Sequence, residues 1–560
     1  MEDKRTLLAF VAIGVILLLM PYYQEWLGLE PKAAPAEAGS AAPAGAASRE
    51  AVGAPAVEGG NGAPRNGEGL DVGALAAEPP SAGATARRVV VRTALQRFEF
   101  DTRGAVLRSV RLRKYHRVGG EEVELVPEGQ GELGLLVRRL NGEDDMGEVV
   151  FSTDVTGDSV EVGAGEQGEV RFRGEVPGGG IVEKRLRFGG AQYGFAQEIA
   201  YQGLPAETEL AVRWQGGLAF TEKDPGPDLS ESRALVRLND EVTKIQRNEG
   251  AEEETFGPYK GAVSWAAVSS KYFLSALVPG EEGIHRVALS GRGGSRSRPG
   301  DFRYEVGLRA EGEGRWASRV YLGPLEYHQL LAEGRELEQA IDFGWPVVRQ
   351  VSRLLLVVFK AAYAYVPNYG WIIVLFAVAI KLVVSPLTHK TNESTAKMQQ
   401  LQPKIAALRE RYKNDSQRLS KETMKLYKEE GVNPLGGCLP MLLQMPVFFA
   451  LYNLFGRTIE LRQSPWLGWV TDLSVPDQLV VAGLPIHVLA VFMGLSMWLQ
   501  QKMTMKDPKQ AMLVYLMPAV MTVIFWSMSS GLVLYWTVFN VLTIAQQVAV
   551  NLYRGKPAFA

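Results

Sequence analysis

The sequence has a single cysteine, Cys438, so no disulfide bond can form within the chain. Its five histidines are scattered, and it contains neither an HExxH nor a CxxC motif, the usual short signatures of a zinc site. It also lacks a Gly-rich loop ending in Gly-Lys-Ser or Gly-Lys-Thr, which would cradle the phosphates of a nucleotide. The 60 Lys and Arg are balanced by 62 Asp and Glu, and the net charge of −2 gives no overall attraction to nucleic acid. We therefore expect no metal, no nucleotide or other cofactor, and no recognition of nucleic acid.

Apolar residues are distributed unevenly along the chain. They dominate the start of the chain and the part after about residue 350, whereas the segment between is polar, charged and rich in glycine. Membrane-spanning helices need about 20 consecutive, mostly apolar residues, and the two apolar regions supply such runs. This division predicts a polytopic α-helical membrane protein that carries a large soluble domain.

The N-terminal apolar run is a candidate membrane anchor, which we place at residues 1–26. Lys4 and Arg5 precede the run at residues 7–20, and the aromatic residues within 21–26 are typical of a membrane interface. By the positive-inside rule, the two cations place the N-terminus in the cytoplasm. A cleaved signal peptide is the alternative, because the alanine-rich sequence that follows offers small residues for cleavage.

Two soluble segments follow the anchor. Residues 27–87 consist mainly of Ala, Gly, Pro and Glu, a composition that predicts a disordered tether. In residues 88–328, apolar and polar residues alternate in short segments separated by glycine-rich turns, which predicts a large all-β sandwich. The alternating apolar positions include Phe98, Phe100, Val110, Leu112, Leu210, Val212, Trp214, Phe302, Tyr304, Val306 and Leu308. No catalytic arrangement can be recognised in this segment, so we expect a binding or spacer domain.

Residues 329–367 are predicted to form a connector followed by an amphipathic helix. The apolar positions at helical spacing are Val348, Val351, Leu355, Val358 and Phe359. Arg349, Arg353 and Lys360 lie elsewhere around the helix. Such a pattern is typical of a helix that lies in the plane of the membrane interface, and a helix that spans the bilayer is the alternative.

Five further apolar runs follow, which with the anchor make six membrane spans and a five-helix core. They are span 2 at residues 368–387, span 3 at 434–456, span 4 at 485–501, span 5 at 512–529 and span 6 at 530–550. The charges between them set the orientation, because ten Lys and Arg mark the segment 388–433 as cytoplasmic. The loop 457–484 is then periplasmic, and the loop 502–511 and the tail 551–560 are cytoplasmic. We therefore expect a bacterial inner-membrane protein with both termini in the cytoplasm and the β-sandwich in the periplasm.

The cytoplasmic segment 388–433 is predicted to form a helical hairpin. Apolar side chains recur at helical spacing in two stretches, one from Leu401 to Tyr412 and one from Leu419 to Tyr427. The cations of its basic face include Lys397, Lys404, Arg409, Arg411 and Lys413. A ribosome or a nascent chain is a candidate partner for this face, and a solvated hairpin without a partner is the alternative.

Several polar side chains fall inside the predicted spans. Lys381 is the most informative, because a lysine at the centre of a bilayer costs roughly 2.5–3.5 kcal/mol on insertion scales. It lies roughly 9 Å along the helix from the end of its span, so its side chain could snorkel to the cytoplasmic interface. Gln444 in span 3 and Asn540 in span 6 instead favour a bundle that encloses a wet cavity. Tyr535 and Trp536 form either an aromatic belt or a wall of that cavity.

Two other functions are compatible with a lysine in the membrane. Lys381 and Ser385 lie on one face of a helix, and a Ser–Lys pair could act as nucleophile and base in an intramembrane protease. However, Ser385 directly precedes Pro386, and no oxyanion-hole candidate accompanies it. An anion transporter could use Lys381 to bind its substrate. Such a transporter predicts an inverted repeat across the spans, and the sequence shows no internal repeat.

The last third of the chain carries recognisable motifs. They are Pro386-Leu-Thr388, Leu401-Gln-Pro-Lys404, Asn433-Pro-Leu-Gly-Gly-Cys-Leu-Pro440, Gln444-Met-Pro446, Ser530-Gly-Leu-Val-Leu-Tyr535 and Gln546-Gln547. Together they closely resemble the signature of the YidC/Oxa1/Alb3 family of membrane insertases, over about residues 345 to 550. The anchor, the tether and the β-sandwich resemble the Gram-negative YidC type by architecture.

The resemblance implies an insertase and chaperone that inserts and helps to fold newly synthesised inner-membrane proteins, alone or with the Sec translocon. It implies no enzymatic activity and no cofactor. The implied partners are nascent membrane proteins, Sec translocon components and the lipid bilayer, with the ribosome as a further candidate.

The resemblance also implies a hydrophilic substrate groove that carries a positive charge. The family's conserved cation falls on Lys381, where most bacterial members carry arginine, and a lysine cannot make arginine's forked contact with a carboxylate. A threonine that some members carry one turn earlier is Ala377 here, and a tyrosine that often follows Tyr535 is Trp536 here. The side chains expected in the groove are Lys381, Gln444, Tyr535, Trp536 and Asn540.

Overall fold

The structure is a computed structural model that describes residues 85–553 except 141, 247–252, 282, 295–299, 311, 414, 432–438 and 505–510, together with 555 and 557. The side chains of residues 386–399, 402, 416, 439–443, 504 and 511–513 are outside this description. The predicted anchor at 1–26, most of the tether at 27–87 and the first part of the family motif at 433–438 therefore lie outside the described residues. The same holds for the side chain of Lys397 and half of the tail at 551–560.

Between Arg88 and Pro324, the described residues form the strands of a β domain. They are β1 (Arg88–Arg92), β2 (Gln96–Asp101), β3 (Val106–His116), β4 (Glu122–Glu124), β5 (Gly134–Arg139), β6 (Gly142–Asp145), β7 (Ser152–Thr153), β8 (Ser159–Glu161), β9 (Gln167–Glu175), β10 (Ile181–Gly189), β11 (Phe195–Leu204), β12 (Glu209–Trp214), β13 (Arg233–Leu238), β14 (Glu241–Gln246), β15 (Glu254–Tyr259), β16 (Val263–Ser269), β17 (Phe273–Pro279), β18 (Arg286–Arg292), β19 (Asp301–Arg309) and β20 (Gly312–Pro324).

These strands form three sheets. The largest has the order β14-β13-β16-β17-β20-β11-β10-β9-β7, the second β15-β18-β19-β12-β5-β6 and the third β4-β3-β2-β1-β8. Strands β13 and β16 of the first sheet pack against β18 and β19 of the second. Two sheets therefore face one another across a shared core.

The β-sandwich predicted from the sequence is confirmed. Every alternating apolar side chain named above is buried, from Phe98 in β2 to Leu308 in β19. Successive side chains of a strand point to opposite faces of a sheet, so the period of two in the sequence places these residues on the inner faces. Three tryptophans, Trp214, Trp265 and Trp316, complete this core.

Ten helices occur in the described residues, most of them in the C-terminal half. They are α1 (Pro225–Glu231), α2 (Tyr327–Glu333), α3 (Pro346–Tyr363), α4 (Tyr369–Gln400), α5 (Gln402–Arg411), α6 (Ser416–Glu429), α7 (Leu439–Arg457), α8 (Val488–Thr504), α9 (Ala511–Phe525) and α10 (Ser530–Tyr553). A two-stranded hairpin of β21 (Leu479–Val481) and β22 (Leu484–Ile486) lies in the segment between α7 and α8.

Length and composition distinguish the helices of this region. Within the described residues, α10 is the one helix that is long and apolar enough to cross a membrane by these criteria, and Tyr369–Ser385 and Val514–Phe525 are shorter apolar segments. The expected end of span 2 at Leu387 is not an end of a helix, because α4 continues to Gln400. Pro386 removes only one backbone hydrogen bond, and residues 396–400 are good helix formers, so the helix continues beyond the apolar run.

Helix α3 is amphipathic, as its sequence pattern predicts, but its faces differ from those expected. Its buried side chains, which include Val348, Leu355 and Phe359, lie on the side that packs against α7. Val358, which was assigned to the same face, is 44% exposed, and Leu354 is 63% exposed. The helix therefore has a second apolar face that the described residues leave exposed.

Buried ion pairs join the β domain to the segment that follows α7. Arg462 Nε donates to Glu222 Oε1 at 2.6 Å, and both side chains are less than a tenth exposed. Arg462 Nη2 also donates to the carbonyl oxygen of His116, at 3.0 Å. Arg457, the last residue of α7, pairs with Glu231 at 3.0 Å. The β domain and the helical region are thus held together by charged contacts between residues far apart in sequence.

The same segment holds the first turn of α10. The Ser530 backbone N–H donates to the carbonyl oxygen of Val475 at 2.8 Å, and the Gly531 N–H donates to that of Leu473 at 2.9 Å. Ser530 Oγ lies 2.7 Å from the carbonyl oxygen of Asp472. Helix N-termini have backbone N–H groups without partners inside the helix, and here the loop carbonyls satisfy them.

We predict that Glu222→Gln weakens the contact between the β domain and residues 459–475. The substitution leaves the Arg462 guanidinium buried without its carboxylate, and loss of one partner of a buried ion pair costs about 3–5 kcal/mol. Hydrogen exchange of the amides in 459–475 should therefore become faster. Glu161→Gln, which breaks the exposed pair with Arg92, is the control and should change stability by less than about 1 kcal/mol. Equal effects of the two substitutions would contradict the prediction.

Two buried titratable side chains lie in the core of the β domain. Burial raises the pKa of Glu132 to about 8, against hydrogen bonding from the backbone of Gln215 that lowers it. Burial lowers the pKa of Lys184 to about 7, and its Nζ donates to the carbonyl oxygens of Ala105 and Leu133. The two groups therefore affect stability in different pH ranges.

The protonated Glu132 should stabilise the folded β domain at low pH. Because its folded pKa is about 8 and its ordinary value is 4.5, this contribution is complete below pH 4.5 and is lost as the pH rises to about 8. We predict that Glu132→Gln flattens the dependence of stability on pH in that range, by up to several kcal/mol at about 1.4 kcal/mol per pKa unit. Hydrogen exchange of the core strands, corrected for the intrinsic rate, measures this.

Lys184 provides the internal control for this prediction. Its folded pKa of about 7 lies below its ordinary value of 10.5, so its contribution makes stability rise with pH between these values. Glu132→Gln should leave this rise unchanged above pH 8. An unchanged slope between pH 5 and 8 in the variant would show that Glu132 does not titrate as described.

Candidate functional site

Helix α10 connects the other helices of the C-terminal half. It contacts α4, α7 and α8, and its first six residues, from Ser530 to Tyr535, are buried. A polar side chain in a bilayer has no water to bond, so it must find its partner within the protein. The polar side chains of α10 therefore show how the surrounding helices are fixed to it.

The Lys381 side chain on α4 turns toward α10. It is 7% exposed, and its Nζ donates a hydrogen bond of 2.7 Å to Thr543 Oγ1. The Nζ atom also lies 4.9 Å from the centroid of the Phe539 ring, within the range of a cation–π contact. Helix α4 presents this face to α10, because Ala377, one turn earlier, is fully buried. The side chain thus points into the bundle, whereas snorkelling would direct it along the helix to the interface.

The partners of this cation are neutral. In the part of the chain that the structure describes, no carboxylate forms an ion pair with Lys381 Nζ. Thr543 Oγ1 donates its own proton to the carbonyl oxygen of Phe539 at 2.7 Å, so it serves the lysine as an acceptor. An ammonium group has three donors, and a neutral hydroxyl is a weaker partner for it than a carboxylate. A carboxylate would therefore be a stronger partner for this ammonium group than the Thr543 hydroxyl is.

Gln444 and Tyr535 form a second contact, between α7 and α10. Gln444 Nε2 donates to Tyr535 Oη at 3.0 Å, and the Tyr535 side chain is fully buried. The Trp536 ring packs against those of Phe448 and Phe525, with centroids 5.3 Å and 5.8 Å away. Near Tyr535 and Trp536, the helices therefore contact one another through aromatic rings and the amide of Gln444.

Asn540 forms a third contact, between α8 and α10. Its Nδ2 donates to Ser496 Oγ at 3.1 Å, and Ser496 Oγ donates to the carbonyl oxygen of Met493 at 2.7 Å. Asn540 is buried. The five residues expected in one groove thus belong to three contacts at successive positions along α10. Each contact joins α10 to a different helix.

The described hydrogen bonds of Ser385 and Lys381 are with other residues and not with each other, so the two are not arranged as a nucleophile and its base. Gln546 Nε2 donates to Ser385 Oγ at 3.2 Å, while Lys381 is bonded to Thr543. The hydroxyl and the ammonium group therefore have different partners, both on α10. This arrangement gives no support to a Ser–Lys nucleophile.

Thr543 and Ser496 are site residues that the sequence analysis missed. Threonine and serine are common in membrane helices, where their hydroxyls bond to a carbonyl one turn earlier, so neither stands out in a sequence. The spacing of Asn540, Thr543 and Gln547 at i, i+3 and i+7 is the one signal that could have pointed to a polar stripe.

The segment from Gln402 to Glu429 contains two packed helices. Leu401 and Ile405 on the α5 side are buried against Leu426 and Tyr427 of α6. Asp415 Oδ1 accepts from the Arg418 N–H at 2.9 Å and so caps α6. The predicted basic side chains that can be described are all exposed, namely Lys404, Arg409, Arg411 and Lys413. Lys404 pairs with Glu430 at 2.5 Å, so the basic face is partly neutralised.

Comparison with known proteins decides the family. The chain is 33% identical over 562 residues to the membrane protein insertase YidC of Syntrophus aciditrophicus, which covers 98% of this chain and 99% of that protein. The chain belongs to the YidC family of membrane protein insertases. A second YidC, from Prosthecochloris aestuarii, is 34% identical over 80% of each chain.

Two family models also match this chain. Residues 88–353 match the YidC periplasmic domain, and residues 361–556 match the 60Kd inner membrane protein family. A crystal structure of an active YidC insertase with its first transmembrane domain resolved aligns with 85% of this chain and 96% of its own, at 19% identity and a TM-score of 0.36. The YidC family is not an enzyme family, so the protease hypothesis is dropped.

We predict that Thr543→Val weakens the contact between α4 and α10. Valine keeps the shape of threonine but removes the acceptor of Lys381, and an unsatisfied buried donor costs about 1–3 kcal/mol. Unfolding in mixed micelles at increasing fractions of denaturing detergent would measure the loss, and Thr543→Ser should retain most of the stability. Thr537→Val is the control, because the described contact of Thr537 Oγ1 is with the Val533 carbonyl in its own helix. A loss no greater than that of the control would count against the contact.

Proposed function

We propose that this chain is a membrane protein insertase and chaperone in which Lys381 is the working cation of a hydrophilic groove. Its substrates are newly made inner-membrane proteins, which it takes from the cytoplasm and helps to fold. The observation that supports this role of Lys381 is a buried ammonium group whose described partners are a neutral hydroxyl and an aromatic ring. No nucleotide or metal is needed for the reaction proposed here.

A short acidic or polar tail of the substrate would exchange partners with Thr543. Hydrogen bonds between charged groups are roughly twice as strong as neutral ones, so a substrate carboxylate competes well for Lys381. The protein and lipid around the groove have a lower dielectric constant than bulk water, which strengthens the attraction between the two charges. The contact lowers the free-energy cost of moving the tail into the membrane.

Release follows from the substrate's own apolar segment. Each Å² of apolar surface removed from water stabilises the inserted state by about 25 cal/mol, so a spanning segment gains far more than one ion pair provides. The single point charge of lysine favours a contact that breaks easily, whereas arginine would make a forked one. Gln444, Tyr535, Trp536 and Asn540 would line the path and keep α10 in place.

The proposed topology has six spans with both termini in the cytoplasm and the β domain in the periplasm of a two-membrane bacterium. The match of residues 88–353 to a periplasmic domain supports this side for the β domain. The ten Lys and Arg between 388 and 433 support a cytoplasmic hairpin. The domain boundaries given above are part of this proposal, with the helical part of span 2 extended into the hairpin.

The hairpin of α5 and α6 is proposed to receive the nascent chain and to pass it to the groove. Its exposed cations Arg409, Arg411 and Lys413 support an acidic partner such as the tail of a nascent chain, with the ribosome as a further candidate. Sec translocon components are proposed to act beside the helical region for larger substrates.

We predict that the charge of Lys381 is needed for substrates with acidic tails. In cells depleted of their own insertase, Lys381→Met should reduce insertion of a single-span reporter with an acidic tail by about tenfold, which corresponds to about 1.4 kcal/mol. Lys381→Arg should retain most of the activity, because it keeps the charge. The measurement is protease protection of the reporter's tail.

Two controls make this experiment decisive. A reporter with an uncharged tail should insert almost equally with the wild type and with Lys381→Met. Lys502→Met removes an exposed cation near the end of α8 and should have little effect on either reporter. If Lys381→Met inserts the acidic reporter as well as the wild type does, the charge is not the working part of the groove.

A further inference from the structure

The hairpin of β21 and β22 presents an exposed apolar tip. Val480, Val481 and Leu484 are 65%, 48% and 68% exposed, although they belong to a regular antiparallel pair. The turn is formed by Ala482 and Gly483, both with positive φ, as a tight two-residue hairpin requires. A two-stranded hairpin is at best marginally stable in water by itself, so an apolar tip of this kind needs another environment.

The base of the same hairpin is polar and rigidly held. Asp477 Oδ2 accepts from Trp469 Nε1 at 2.8 Å and from the Leu489 N–H at 3.0 Å, so it also caps α8. His487 Nδ1 is bonded to the carbonyl oxygen of Asp477, and its ring packs edge-on against Trp526 at 4.7 Å. Tryptophan side chains at the end of membrane helices are typical of the interface. These contacts fix the hairpin directly at the outer end of α8.

The tip continues the apolar surface of α8. No Asp, Glu, Lys or Arg occurs between Asp477 and Lys502, a stretch that contains both the hairpin and most of α8. Phe492 and Leu495 of that helix are 49% and 56% exposed, as side chains that face lipid are. The exposed side chains of the hairpin tip and of α8 before Lys502 are therefore apolar and uncharged alike.

The length of α8 gives a reason for an apolar tip next to it, because the uncharged part of the helix is shorter than the hydrocarbon core of a bilayer is thick. The uncharged helical residues 488–501 rise about 21 Å, whereas the hydrocarbon core of a bilayer is about 30 Å thick. Strands of three residues extend about 10 Å, which is close to the difference. Hairpin and helix together match the thickness that the helix alone does not reach.

We propose that the tip of this hairpin is inserted into the acyl region of the outer leaflet and completes the membrane contact of α8. The partner is lipid, because every exposed side chain of the tip is apolar and uncharged. The inference rests on the proposed topology, in which α8 is span 4, and it adds a second, non-helical lipid contact to the insertase.

Depth-dependent fluorescence in vesicles tests the proposal with the full chain. In a Cys438→Ser background the protein has no other cysteine, so Val480→Cys can be labelled with the environment-sensitive probe NBD. The protein is reconstituted in phosphatidylcholine and phosphatidylglycerol vesicles with or without doxyl-labelled lipids. Phe492→Cys on α8 is the lipid control. Leu140→Cys is the matched control, an apolar residue that is 84% exposed next to the end of β5 in the β domain.

The expected result is quenching at position 480 within about twofold of that at 492 and about fivefold greater than at 140, as for a side chain buried several Å into the acyl boundary. Adding Val481→Asp and Leu484→Asp should abolish the quenching at 480 while leaving that at 492 unchanged. Strong quenching at 492 with none at 480 would overturn this proposal alone, because the tip would then face water or another protein. Absence of quenching at both positions would overturn the proposed topology.

Discussion

A polar side chain inside a membrane must be satisfied by the protein itself, and this requirement organises the helical half of the molecule. The polar side chains of α10 meet it at three levels, through Tyr535 with α7, Asn540 with α8 and Thr543 with α4. Apolar packing alone would not fix one rotation of α10, because its apolar residues occur all around the helix. The hydrogen bonds select one rotation, and they place Lys381 against the helix and not at the interface.

The β domain is held to this bundle by charges that are themselves buried. The pair of Arg462 and Glu222 is far from water on both sides, and the Arg457 contact with Glu231 lies close to it. Buried pairs give little net stability compared with apolar contacts, but they are specific in geometry. The domain expected from sequence to be a binding module or a spacer is therefore also a fixed neighbour of the segment that caps α10.

The sequence predicted those features that depend on a regular pattern or on a specific motif. The β-sandwich follows from alternation, as the buried Phe98 and Trp214 show, and the family follows from motifs around Gln444 and Ser530. The contacts of Thr543, Ser496 and Arg462 could not be predicted, because each joins residues more than 40 positions apart through common side chains. The continuation of α4 beyond the apolar run of span 2 could not be predicted for a different reason, since hydropathy marks where an apolar run ends and not where a helix ends.

The way in which α10 is held has a mechanical consequence. Its N-terminal end is fixed by the loop carbonyls of residues 472–475, whereas its C-terminal part is held by contacts between side chains. If α10 tilts about Ser530, Thr543 moves with it. Thr543 lies about 20 Å from Ser530 along the helix, at 1.5 Å per residue. A tilt of about 5° would move Thr543 by about 1.7 Å over this length, enough to break its contact with Lys381. A small rotation at the N-terminal end of α10 would thereby change the partner of the Lys381 ammonium group.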